Sequence, residues 1–302
     1  MDTSSAIRWT LDGHRLTISH PDKLYWPADG ITKRAMLEYY RTMASVLLPW
    51  FKDRPVTIRT FPDGIEGFSY YRRDLPERTP SWLRSARYRT ATTGTDIQVP
   101  LIDDAAGLVW FGNRGGIEFH LWASRMPHPD HPDLAVFDLD PGPATPFANV
   151  LQATLLLRAY LEDLGLRSYP KTSGARGLHV YLPIAAGHTF ARVRGFVRTV
   201  TTALARNHPE LMAIPHGGTH RGAGVRIDYA QNSIARNTAA PYTVRARAGA
   251  PVSTPLSWTE VERGEIVPDR LTITTVPERV ARHGDPFAGV LGANQHLPDT
   301  DA

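Results

Sequence analysis

The run Leu134-Ala-Val-Phe-Asp-Leu-Asp140, stopped by Pro141-Gly142-Pro143, constrains the fold of this chain more than any other stretch. Its apolar residues are too continuous for a strand with one wet face, so it reads as a strand buried on both faces and ended by a turn. A helix pattern follows. Thr145 stands as N-cap, Pro146 takes the first helical position, and Phe147, Val150, Leu151, Thr154, Leu155 and Leu161 share a face before Gly165. Next come a strand around Ser168 to Pro170, a polar turn with two glycines at 172–177 and a second apolar strand from Leu178 to Pro183. Thr189 caps a helix with Phe190, Val193, Val197, Val200 and Leu204 on one face, Pro209 ends it, and a last strand starts at Val225.

The N-terminal part is patterned differently. Met36, Tyr40, Met43 and Leu47 line one face of a helix that follows Thr32 and is expected to end near Pro49. From Arg54 to about His120 the sequence suggests a meander of short strands and turns, with Gly107 to Phe111 among its apolar stretches. Polar residues and prolines from about Asp285 to Ala302 suggest a frayed tail. With no linker signal, one domain over residues 1–285 is expected, its first 130 residues leading into a core over about 131–260.

Composition closes off several classes. Hydrophobic residues at 42% of the 302 positions provide a core, which excludes wholesale disorder. The absence of Cys excludes disulfides, thiolate metal sites and Cys nucleophiles, so any metal must be held by oxygen or imidazole. A net charge of +4 is compatible with a polyanionic partner and is a weak argument for one. The N-terminus lacks a secretory pattern and no stretch reaches the length of a membrane span, so an intracellular chain with no membrane association is expected.

Asp138 and Asp140 stand two apart at the end of the apolar strand, and the strand period puts both on one face. Their mutual repulsion is relieved by shared divalent cations, and carboxylate oxygens suit Mg or Mn. For a bare Asp-x-Asp, a solvated strand end or an Asx turn before Pro141-Gly142 is the commoner explanation. Asp228 is a third acid in an apolar strand, with Arg226 or Arg221 as the ordinary ion-pair alternative. Three acids on strands are also what a two-metal phosphoryl-transfer site requires.

Between the acids lies Lys171-Thr-Ser-Gly-Ala-Arg-Gly-Leu-His179, where small residues let backbone N–H groups approach phosphate oxygens, Arg176 adds a forked cation and His179 follows on the strand. The polar and basic stretch from Gln231 to Arg247 reads either as a solvated face or as the wall of a polyphosphate site.

Taken in order, Phe137-Asp-Leu-Asp-Pro-Gly142, Thr172-Ser-Gly-Ala-Arg-Gly-Leu-His179, Asp228-Tyr-Ala-Gln-Asn232 and Ala240-Pro-Tyr-Thr-Val-Arg-Ala-Arg247 strongly resemble the polymerase domain of bacterial ATP-dependent DNA ligase D, of the archaeo-eukaryotic primase superfamily. The resemblance extends to His20-Pro-Asp-Lys-Leu-Tyr-Trp-Pro27, Leu101-Ile-Asp-Asp-Ala-Ala-Gly-Leu108, Glu118-Phe-His120 and Pro255-Leu-Ser-Trp258. It implies an α+β primase-polymerase fold, with mixed sheets as core and flanking helices. The implied activity is template-dependent extension of primers and gap filling at DNA ends in non-homologous end joining, with ribonucleotides and manganese favoured.

The resemblance also assigns roles. Asp138, Asp140 and Asp228 would bind two divalent ions, Mn2+ or Mg2+. Arg59, Ser173, Arg176, Gly177 and Arg245 would meet the triphosphate of an incoming NTP or dNTP, with His179 beside them and His120 and Gln231 near the sugar. The family has Lys at Arg59 and often at Arg176, a change of geometry at constant charge. Lys23 and Lys33 would hold the 5'-phosphate of gapped DNA with His20, where the family often has Asn. Tyr70 and Tyr71 would stack on the template and Arg221 would contact it. Ku and a separate ligase are the implied protein partners, in a bacterial cytoplasm at the nucleoid. A stand-alone primase-polymerase, a noncatalytic end-binding module and an Asp-x-Asp phosphatase are the rival readings, the last opposed by Pro141.

Overall fold

A computed structural model describes residues 6–90, 93–213 and 222–298. The chain divides into two compact units, one of Met1–Leu121, Ala239–Ser253 and Asp269–His283, the other of Trp122–Thr238, Thr254–Pro268 and Gly284–Ala302. Each is built from three separate stretches, so no linker composition marks the boundary. Both mix helices with small antiparallel sheets, an α+β architecture. Among the described residues no helix is long and apolar enough to cross a membrane.

In the second unit a four-stranded sheet has the order Tyr169–Thr172, Leu178–Pro183, Leu134–Pro141, Val225–Ile227, all neighbours antiparallel. The continuous apolar sequence of the two central strands is explained by burial: every residue from Leu134 to Leu139 and from Leu178 to Pro183 is buried. Helices Phe147–Asp163 and Phe190–Asn207 pack on the Leu134–Pro141 strand, and the Phe137 and Phe196 rings meet edge to face at 6.5 Å. The first helix starts one residue later than its sequence suggests. Pro146 is the N-cap, because the Thr145 hydroxyl donates to the Gly224 carbonyl, 3.0 Å away, instead of capping.

The C-terminal stretch corrects the expectation of a frayed tail. Phe287, Val290 and Leu297 are buried, and the Gln295 amide donates to the carbonyls of Arg167 and Pro183 at 2.9 and 3.1 Å. Its few apolar residues, spaced among polar ones, are enough to anchor it through residue 298.

In the first unit, helix Lys33–Phe51 begins at Thr32, whose hydroxyl accepts the Ala35 N–H. Pro49 falls inside its last turn, so the helix runs two residues past the expected stop. A proline there costs one backbone hydrogen bond without breaking the turns before it. Gly107 to Phe111 is not a strand but part of helix Ala105–Asn113, nucleated by Asp104, whose carboxylate accepts the Gly107 N–H at 2.7 Å. A short stretch that is apolar all round carries no period to tell the two apart. The Val56–Thr60 strand lies between Gly116–Trp122 and Tyr70–Arg72. The Tyr40 hydroxyl donates to Ile117 O and accepts from Val244 N, fastening the helix to this sheet and to the 239–253 segment.

Candidate functional site

The acidic strand of the second unit ends at its conspicuous residues. Asp138 lies opposite His179, and Asp140 opposite Arg226 on the other side. The His179 Nε2 stands 3.3 Å from one Asp138 oxygen, and the Gln231 amide donates to the other at 3.5 Å. Lys171, fully buried, lies opposite His179, so Asp138, His179 and Lys171 form one row across three strands. Sequence reasoning gave Lys171 no role.

Asp228 lies just beyond the strand in which it was expected. Its backbone N–H donates to the Asp138 carbonyl at 2.9 Å, which sets it beside the acidic strand, and its carboxylate caps the short turn Tyr229–Gln231 through the Ala230 N–H. The ion-pair alternative is partly realised, with Arg226 Nη2 3.9 Å from Asp228. The next residue after Gln231, Asn232, is buried and pairs with both backbone groups of Val136 at 2.8 Å, locking the Asp-Tyr-Ala-Gln-Asn motif to the strand that carries the acids. The donors are oxygens of the right hardness for Mg or Mn. Among the described residues, no three His, Asp or Glu side chains, the three acids included, converge closely enough to hold a metal ion.

The turn after Thr172 is held by Ser173, whose hydroxyl accepts from the Ala175 and Gly177 N–H groups, both at 3.2 Å, while its own N–H donates to Gly177 O. Gly174 has φ of 69°, left-handed backbone that suits glycine. Gly177 presses on the acidic strand: a Cβ there would stand 2.3 Å from Leu139 O and 3.6 Å from an Asp140 carboxylate oxygen. Arg176 is exposed, and its guanidinium donates to the carbonyls of Pro141, Gly142 and Pro143 at 2.8 to 3.1 Å. The forked cation therefore ties the glycine turn to the Pro-Gly-Pro turn that follows the acids.

In the first unit, three of the predicted nucleotide contacts gather on a fourth residue that sequence reasoning left without a role. Glu118 is 1% exposed. One carboxylate oxygen is 3.0 Å from His120 Nε2; the other accepts the Ala246 N–H at 3.0 Å and lies 3.4 Å from Arg245 Nε and 3.7 Å from Arg59 Nη1. Burial opposes the charge on Glu118, but the His120 hydrogen bond and the Arg245 charge outweigh it and bring its pKa down to about 2. His120 moves downward as well: burial dominates, and Glu118 only partly offsets it. The motif Glu-x-His on a strand, with both side chains on one face, was the available signal.

His20, Lys23 and Lys33 come together at the start of helix Lys33–Phe51. Lys33 N donates to Lys23 O at 2.8 Å and Lys23 N to His20 O at 3.2 Å. Lys33 is 3% exposed with its Nζ on Ser19 O at 2.6 Å, and its pKa is lowered to about 8 by burial first and then by the charges of Lys23 and Arg114. Lys23 is more open and pairs with Asp63 at 2.6 Å. Nearby on the sheet, Tyr71 is exposed, with the Arg59 guanidinium 5.6 Å from its ring. Tyr70 is half-buried and stacks on Phe68, a 73% exposed aromatic that the sequence reading passed over. Arg221 lies outside the described residues.

Comparison with known proteins identifies the family. Residues 32–287 match the family described as "LigD, primase-polymerase domain". The multifunctional non-homologous end joining protein LigD of Mycolicibacterium smegmatis is 31% identical over 285 residues, covering 93% of this chain and 37% of that protein. Its counterpart in Pseudomonas aeruginosa is 32% identical over 283 residues, covering 93% of this chain and 33% of that protein. This chain thus spans about a third of the length of these curated relatives. Among solved structures, the polymerase domain from Mycobacterium tuberculosis ligase D in complex with DNA superposes with a TM-score of 0.85 at 30% identity, over 92% of this chain and 98% of that one. The chain belongs to the LigD primase-polymerase domain family.

Proposed function

We propose that this chain is a template-dependent nucleotidyltransferase that extends primers and fills gaps at DNA ends during non-homologous end joining, with ribonucleotides preferred. The observation that carries the reading is the close approach of Gly177 to the acidic strand, where an added Cβ would stand 2.3 Å from Leu139 O, so the glycine turn lies beside Asp140. The likeness to a polymerase domain solved with DNA supports it.

Asp138, Asp140 and Asp228 would hold two divalent ions, Mn2+ or Mg2+. When bound, these supply Lewis acidity toward the attacking 3'-hydroxyl and the departing pyrophosphate. His179 and Gln231 fix the orientation of the Asp138 carboxylate, with Gln231 also reaching toward the sugar. The turn at 173–177 would meet the triphosphate by exchanging the bonds of the Ala175 and Gly177 N–H groups to the Ser173 hydroxyl for bonds to phosphate oxygens. Arg176 meets the phosphates by exchanging the carbonyls of residues 141–143 for phosphate oxygens, and Arg59 and Arg245 offset further charge. Lys23 and Lys33, with His20, bind a downstream 5'-phosphate; Tyr70 and Tyr71 stack on unpaired template bases, with Arg221 as a further template contact. Ku and a separate ligase would act alongside it in a bacterial cytoplasm.

The test is single-nucleotide incorporation on a short gapped duplex with Mn2+ or Mg2+, comparing ribo- with deoxynucleotides and a 5'-phosphate with a 5'-hydroxyl. Ribonucleotide incorporation stimulated by the phosphate is expected. Incorporation indifferent to the phosphate would assign the chain to general gap filling, and none under any condition would overturn the reading.

A further inference from the structure

Glu118 brings three proposed nucleotide contacts to one buried carboxylate, and the chemistry of that carboxylate constrains what one of them can do. We infer that Glu118 is a positioning residue for sugar selection: by accepting a hydrogen bond from His120 Nε2 it fixes the ring in the Nε2–H tautomer and leaves Nδ1 as an acceptor for the 2'-hydroxyl of an incoming ribonucleotide. The inference rests on the nucleotide-binding reading above and names the atom through which that site would tell one sugar from another.

An ionised carboxylate has only acceptors, so the imidazole nitrogen that bonds it must carry the proton. Glu118 is ionised across the physiological range, since its pKa lies at about 2, held there against burial by His120, Arg245 and the Ala246 N–H. His120 is buried beside the guanidinium groups of Arg59 and Arg245, which disfavour a second ring proton. A neutral ring with its proton on Nε2 has a lone pair on Nδ1. Among the described residues, Glu118 is the hydrogen-bond partner that His120 has, so the Nδ1 lone pair is not spent within the unit.

An acceptor there separates sugars by hydrogen-bonding chemistry. A ribose 2'-hydroxyl can donate to Nδ1, whereas the 2'-hydrogens of a deoxyribose cannot, so the ribose gains a hydrogen bond that the deoxyribose lacks. The other Glu118 oxygen lies 3.4 Å from Arg245 and 3.7 Å from Arg59, so the same carboxylate that bonds His120 also draws in both cations.

Two measurements test this. Long-range proton–nitrogen NMR of the His120 ring, assigned by loss of its signals in His120→Gln, is expected to show Nε2 protonated and Nδ1 bare in the nucleotide-free chain; a proton on Nδ1 would overturn the inference. Glu118→Gln is expected to raise KM for ribonucleotides about five- to tenfold relative to deoxynucleotides, the worth of one hydrogen bond. In a His120→Ala background the same change should leave the ratio where His120→Ala alone puts it. A folded Glu118→Gln chain with an unaltered ratio would contradict the inference. If that variant does not fold, the tautomer of the unaltered chain decides alone. If the unaltered chain incorporates neither sugar, the polymerase reading fails, while the ring tautomer still decides the arrangement proposed for Glu118.

Discussion

Gly177 approaches the acidic strand so closely that a methyl group on its Cα would stand 2.3 Å from the carbonyl oxygen of Leu139. A backbone oxygen cannot step aside as a side chain does, so Gly177→Ala must push the turn away from Asp140. The expected cost is about 1–3 kcal/mol of stability, as for other overpacked sites. Thermal melting checks this, together with a rise of at least about tenfold in nucleotide KM, which corresponds to about 1.4 kcal/mol.

Asn232 mimics a strand by exchanging two hydrogen bonds with the backbone of Val136, two residues before Asp138. Asn232→Ala leaves a buried N–H and C=O unmatched and should destabilise the chain by about 2 kcal/mol. Hydrogen exchange is the specific readout: the Val136 amide should lose protection more than that of Leu182, which lies on the neighbouring strand.

Lys33 gives the proposed 5'-phosphate contact a pH dependence. Its pKa is lowered to about 8, so in the phosphate-free chain the charge is present below that pH and lost above it. The advantage of a 5'-phosphate over a 5'-hydroxyl in DNA binding should therefore shrink as pH rises past about 8, and Lys33→Met should remove most of it at every pH. The unfolded chain keeps this proton up to the ordinary value of 10.5, so Lys33 makes stability rise with pH between about 8 and 10.5. Fluorescence anisotropy of the two duplexes across pH 6 to about 10 checks the first statement.

Glu118 works in the opposite range. Its pKa falls from 4.5 to about 2 on folding, so its stabilisation is fully present above 4.5 and is lost as pH drops toward 2. Acid melts of Glu118→Gln should be flatter than those of the unaltered chain over that window. Parallel curves would mean that the buried cluster contributes nothing to acid stability.

Much of this was legible because local signals and tertiary demands coincide. The Leu134 strand could be read from continuous apolarity, and the helix at Phe190 from its Thr189 cap, because these residues do in the fold what their chemistry favours in isolation. The helix at Gly107 was misread because a short all-apolar run has no period, and the segment after Asp285 because three buried residues scattered among polar ones leave little pattern. The division into two units left no trace because each is assembled from distant stretches. Among site residues, Asp138 and Asp140 could be read as strand-end neighbours from their spacing, whereas the Asp138–His179 pairing depends on a strand register that spacing does not give. The Glu118 cluster depends on Arg245 arriving from residues 239–253, a long-range contact that no local spacing announces.

The central claim is that Asp138 and Asp140 serve nucleotidyl transfer rather than the fold alone, and the most direct measurement is primer extension by Asp138→Asn and Asp140→Asn on a gapped duplex with a 5'-phosphate, alongside binding of the same duplex. Extension is expected to fall below detection in both variants while DNA binding stays within about threefold of the unaltered chain, a difference of about 0.6 kcal/mol. Extension at the unaltered rate by either folded variant would contradict the claim.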